Sequence, residues 1–141
     1  MFRKILVPVD FTEKNEAAIQ AALEVLGGHE DAEIHLLHVI ETIEHVEYDE
    51  MKDFYRDLEN RSVAKLTRLE ERCRTAGPVR VYHDLQFGKR AEAIVRYAED
   101  RSMDLIVLSS HKVDRDHPAL GLGTISYRIA IVARCPVLLV K

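Results

Sequence analysis

Residues 4–9 read Lys4-Ile5-Leu6-Val7-Pro8-Val9, an almost unbroken apolar run, and the turn residues Asp10 and Thr12 follow it directly. Behind them Ala17, Ala18, Ala21, Ala22 and Val25 recur at helical spacing until Gly27-Gly28 stops the pattern. A strand apolar on both faces, feeding straight into a helix, is the building unit of a parallel sheet covered on both sides. A second such apolar strand stands at residues 105–110, where LIVLSS runs into two serines and a polar loop, Lys112 to Pro118, leads on to Gly121 and Gly123.

Working outward, EIHLLHV (33–39) reads as a second strand. A long amphipathic helix follows, with Met51, Phe54, Tyr55, Leu58, Ser62, Leu66, Leu69 and Cys73 as its buried stripe and Gly77-Pro78 as its end. VRVYHDL (79–85) alternates apolar and polar residues, as a half-exposed strand does. Gly88 precedes a helix carrying Ala91, Ile94, Val95 and Ala98. Residues 124–133 are helical in pattern, and PVLLV, opened by Pro136 and closed by Val140, is the last strand. Thr12 is placed to cap the first helix, with Glu13 and Glu16 in its first turn.

The expectation is a single α/β domain over residues 1–141, a doubly wound, Rossmann-like sheet of five parallel strands. The two wholly apolar strands belong in the middle and VRVYHDL at an edge. Right-handed crossovers then give the order 3-2-1-4-5. Pro8 fits a central strand only near its carboxyl end, where pairing is ending.

Composition removes several classes of function. The chain has 141 residues, 47% hydrophobic and 31% charged, the balance of a globular domain. No apolar run approaches the ~20 residues of a membrane span, and no leader pattern opens the sequence. A net charge of -4 and a pI near 6.0 argue against a nucleic-acid partner. Cys73 and Cys135 stand far apart and fit neither a disulfide framework nor a zinc finger. A reducing cytoplasm is the expected location.

In the order 3-2-1-4-5 the winding reverses between the first and fourth strands, and ligands of such sheets bind outside the carboxyl ends at that point. The groups there are Pro8, Val9 and Asp10 on one side, and Ser109, Ser110, His111 and Lys112 on the other. Gly123, Thr124 and Ser126 open the last helix, where free amides and the helix dipole attract phosphate. Lys112 and Arg115 add positive charge. Asp10 serves equally as a helix cap or as an acceptor for a ribose hydroxyl or an adenine amine. Gly123-Thr124 serves as a plain helix start or a phosphate cradle. No catalytic residue is expected, because Ser109 or Ser110 beside His111 makes no nucleophile–base pair and has no third group. His111, Asp114, Asp116 and His117 match no standard metal spacing, and His35 and His38 face opposite sides of their strand.

These segments together resemble the universal stress protein family over essentially the whole chain. The points of resemblance are KILVPVDFT with its alanine helix, LLHV closing the second strand, Gly88 before AEAIVRYA, DLIVLSSH, and LGTISYRIAIVARCPVLLV at the end. The resemblance implies a five-stranded α/β fold, a homodimer paired through the last strand, and in one branch ATP in the crevice. That branch has a signature of glycine, two residues, glycine, nine residues, then glycine with serine or threonine. Here Ser109 and Lys112 stand at the two early glycines, and ten residues rather than nine precede Gly123-Thr124. By resemblance Asp10 and Val39 hold base and ribose, Gly123, Thr124 and Ser126 take phosphate, and His111 matches a common histidine.

The leading expectation is therefore a small regulatory stress protein binding ATP or a related adenine nucleotide, with Mg2+ as its accompanying ion, and signalling to a protein partner. The alternatives are a nucleotide-free relative acting by protein contact alone, or a weak ATP hydrolase. No P-loop supports the hydrolase.

Overall fold

A computed structural model of the chain describes residues 2–42, 48–111, 115–117 and 124–141. Their order is β1 (Lys4–Pro8), α1 (Asn15–Leu26), β2 (Glu33–Glu41), a 3-10 turn (Tyr48–Met51), α2 (Lys52–Thr75), β3 (Arg80–Gly88), α3 (Arg90–Asp100), β4 (Leu105–Ser109), α4 (Ile125–Val132) and β5 (Val137–Val140). The sheet runs β3-β2-β1-β4-β5 with every pair parallel. That is the order drawn from burial and handedness.

Strand alternation divides the core in two. Ile5, Val7, Ile34, Leu36 and Val107 pack on one face beneath Ala18, Ile19, Ala22 and Leu26 of α1 and Leu66 and Cys73 of α2. Leu6, Leu37, Ile106 and Leu108 pack on the other beneath Ile94, Tyr97 and Ala98 of α3 and Ile129 of α4. Pro8 closes β1 opposite Leu37, and the next amide, on Val9, donates to the Leu37 carbonyl at 2.8 Å. The missing proline N–H therefore falls where the ladder is ending.

Five local expectations need correction. Helix α1 starts at Asn15, not at Thr12. Phe11 takes a left-handed conformation (φ 65°) and Thr12 is consumed in the turn, its amide and hydroxyl donating to Asp10 Oδ1 at 3.0 and 2.7 Å. For the same reason Asp10 braces that turn and does not cap the helix. Phe54 leaves the α2 stripe and is 48% exposed, while Tyr55, Ser62, Leu66 and Cys73 stay buried. Strand β3 extends to Gly88, beyond the alternating stretch, because β2 is long enough to pair with it up to Glu41. Pro136 precedes β5, although its carbonyl accepts from the Ile106 amide at 3.0 Å.

Helix α1 ends as Gly27-Gly28 suggested. Gly27 adopts φ 61° and its N–H closes on the Leu23 carbonyl at 3.1 Å. Among the described residues no helix is long and apolar enough to cross a membrane.

Candidate functional site

Helix α1 covers one face of the sheet and α3 with α4 the other, so the carboxyl ends of β1 and β4 part and open a cavity of about 220 Å³. Its floor is apolar, from Pro8, Val9, Leu37, Val39 and Leu108, with Ile94 and Ile125 as a side wall. Asp10 stands at the rim. Partial burial opposes its ionisation, but the hydrogen bonds from the Thr12 hydroxyl and amide, with Asn15 beside them, outweigh burial and hold the carboxyl below its usual value. Asp10 is thus a carboxylate at neutral pH, able to accept from hydroxyl or amine donors.

The opposite wall is hydroxyl-rich. Ser110 and Ser126 are both buried and share a hydrogen bond at 3.1 Å, and Thr124 Oγ1 lies 3.3 Å from Ser126 Oγ. The Ser110 amide donates to the Val140 carbonyl at 2.8 Å, which fixes the chain as it leaves β4. Thr124 is the residue from which α4 starts. Three hydroxyls therefore gather at a helix amino end, where unpaired N–H groups and the dipole favour an anion.

Of the residues expected at the site, Pro8, Val9, Asp10, Val39, Ser109, His111, Thr124 and Ser126 line this one cavity. Lys112 and Gly123 lie outside the described residues, as do Asp114 and Gly121. Arg115 is exposed and is not part of the wall. Ser109 lines the cavity, yet its hydroxyl donates to the Lys14 carbonyl and accepts from Asn15 Nδ2, both at 3.2 Å. His35 and His38 do serve opposite faces. His35 sits by Tyr97, whereas His38 donates from Nδ1 to the Val9 carbonyl at 2.7 Å, bracing the rim from β2.

Sequence reasoning missed Lys14, Asn15 and Arg90, all of which line the cavity. Asn15 had a legible signal, being the one polar residue in register with Ala18, Ile19, Ala22 and Leu26 on the buried stripe of α1. Arg90 opens α3, 3.9 Å from Glu41, and brings a cation to the rim that Lys112 was expected to supply.

Fold and crevice together define a doubly wound α/β protein with an open cleft at its topological switch point, the place where sheets of this kind bind ligands. The pattern of the universal stress protein family matches residues 1–141, and the chain belongs to that family. A universal stress protein of Methanocaldococcus jannaschii is 28% identical over 160 aligned residues, spanning 100% of this chain and 96% of the relative, and its solved structure superposes with a TM-score of 0.73. UspA of Lactobacillus plantarum is 23% identical, with a TM-score of 0.79 over 99% of this chain and 98% of that one. A universal stress protein solved in complex with cAMP is 19% identical, with a TM-score of 0.73 over 99% and 97% of the two chains.

Proposed function

We propose that this chain binds ATP or a related adenine nucleotide in the crevice and acts as a small regulatory stress protein in the cytoplasm, its occupied state read by a protein partner. The observation that carries the reading is the polarity of the cavity. An apolar floor (Pro8, Val9, Leu37, Val39) lies between a carboxylate on one rim and a hydroxyl cluster at a helix amino end on the other. A nucleotide offers a matching group to each: a flat base for the apolar floor, hydroxyl or amine donors for the carboxylate, and phosphates for the hydroxyl cluster. The cAMP complex of a fold neighbour supports this at the level of the fold.

In this reading the base lies against Val9 and Val39, and Asp10 accepts from ribose or the adenine amine. Thr124, Ser126 and the start of α4 take the phosphates, with His111 and Arg90 beside them. At about 220 Å³ the cavity is small against the roughly 300–1,000 Å³ of common ligand pockets. It therefore encloses the nucleoside and leaves the phosphates at the open rim. Mg2+ would enter with the phosphates, whose oxygens and the nearby hydroxyls are hard donors of the type it takes.

The protein works as a homodimer through its last strand in the same proposal. Strand β5 is an edge, Leu138 is exposed, and Ile131 and Val132 of the preceding helix are 79% and 62% exposed. A bare apolar edge invites another strand, and a second copy across a two-fold axis is the simplest cover. The opposite edge carries Arg80, His83 and Asp84. Calorimetric titration with ATP and with GTP tests the site: ATP binds with a stoichiometry of one per chain and GTP more weakly. Absence of heat and of thermal shift with millimolar ATP supports the nucleotide-free alternative.

A further inference from the structure

Asn15 occupies the buried stripe of α1 at 3% exposure. A carboxamide there is costly unless its donors and acceptor are paired, and it is paired on both sides. Oδ1 accepts from the amides of Asp10 at 3.0 Å and Phe11 at 2.8 Å, while Nδ2 donates to the Ser109 hydroxyl at 3.2 Å. The Ser109 hydroxyl in turn donates a hydrogen bond to the Lys14 carbonyl. One side chain thus ties the turn after β1 to the end of β4, the two strands whose separation makes the crevice.

The same turn holds strained backbone. Phe11 has φ 65°, a region that bulky residues seldom enter. Such strain persists only where its surroundings over-determine it, and it concentrates at ligand clamps. Here the over-determination is explicit. Two consecutive amides end on Asn15, the Phe11 ring packs tilted against His38 with centroids 4.3 Å apart, and His38 and Leu37 hold the carbonyl and amide of Val9. The residue fixed at the centre of this frame is Asp10.

We propose that Asn15 is a positioning residue of the crevice, setting the Asp10 turn against the end of β4 before any ligand arrives. The proposal rests on the nucleotide reading above and adds where its ordering comes from. A turn fixed during folding need not be ordered during binding, so affinity is gained from the preset position of Asp10. It also accounts for a serine at the end of β4, since that hydroxyl belongs to the brace and not to the ligand.

The test combines ATP calorimetry with amide exchange by NMR on the full chain, for the wild type, Asn15→Ala, Ser109→Ala and the double variant. In the nucleotide-free wild type, the Asp10 and Phe11 amides should exchange at least a hundredfold more slowly than in an unstructured chain. Asn15→Ala should speed both by tenfold or more and weaken ATP about tenfold. Ser109→Ala should weaken it two- to threefold, and the double variant should be no worse than Asn15→Ala alone. A residue that merely fills the core would lower the melting temperature of Asn15→Ala and leave its ATP affinity unchanged, which overturns the proposal. Rapid exchange of the two wild-type amides until ATP is added overturns it as well, and needs no variant to fold. Wild-type protein without ATP affinity defeats the nucleotide reading and this role together, whereas wild-type binding with an unaffected Asn15→Ala defeats this role alone.

Discussion

Replacing Asp10 separates the two tasks of its carboxylate. Oδ1 accepts from the Thr12 amide and hydroxyl at 3.0 and 2.7 Å on an exposed turn. Exposed hydrogen bonds sit at the low end of the usual range, so losing both in Asp10→Ala costs about 1 kcal/mol of stability. For a chain of this size that is a fall of roughly 3–4 °C in melting temperature. The bond to the nucleotide is different, because it is covered when the ligand is seated and one partner is ionised. Its loss weakens ATP by about 1–3 kcal/mol, or roughly 5- to 150-fold in Kd. Asp10→Asn keeps an acceptor for Thr12 but loses the charge, so it should melt within about 1 °C of wild type while still losing at least about fivefold in affinity. Differential scanning fluorimetry and ATP calorimetry read the two effects separately. Either variant binding ATP within twofold of wild type would remove Asp10 from the site.

Gly27→Ala should cost about 1 kcal/mol, since φ 61° strains a residue with a Cβ although the space around it is open; urea midpoints check this. His35 is buried, and burial lowers its pKa against the opposing pull of Glu33, so the folded chain prefers the neutral ring. The unfolded chain then binds the extra proton, and stability falls as pH drops from about 6.5 toward 5. His35→Phe should flatten that slope in denaturant melts at pH 7 and pH 5, and an unchanged slope would assign it to other groups such as His38, which is shifted the same way. Leu138→Lys should shift the protein from twice the 16.2 kDa chain mass to the monomer in sedimentation at micromolar concentration. Wild type sedimenting as a monomer there would refute the strand-edge dimer.

The sheet was legible because its two central strands are apolar on both faces, which only a position between two layers explains. The crevice followed from strand order alone, and eight of the ten expected site residues line one cavity. The misses share a cause: they lie where tertiary pairing overrides local pattern. Strand β3 runs past its alternation because β2 offers partners as far as Glu41. Thr12 is the exception, a local one: its hydroxyl turns back to Asp10 Oδ1 and the helix starts three residues later, at Asn15. Asn15 belongs to a network joining residues 94 positions apart, and no local spacing reports that. Arg90 reaches the rim only because α3 begins beside β2 and α4.

On the proposed reading an adenine nucleotide occupies the crevice between β1 and β4. Titrating ATP into the 15N-labelled chain and following amide shifts residue by residue tests this most directly. Saturable shifts should concentrate at Val9, Asp10, Val39, Ser110, His111 and Ser126, with the β3 edge and the outer face of α2 unmoved. No shifts at millimolar ATP, or shifts centred away from these residues, would contradict it.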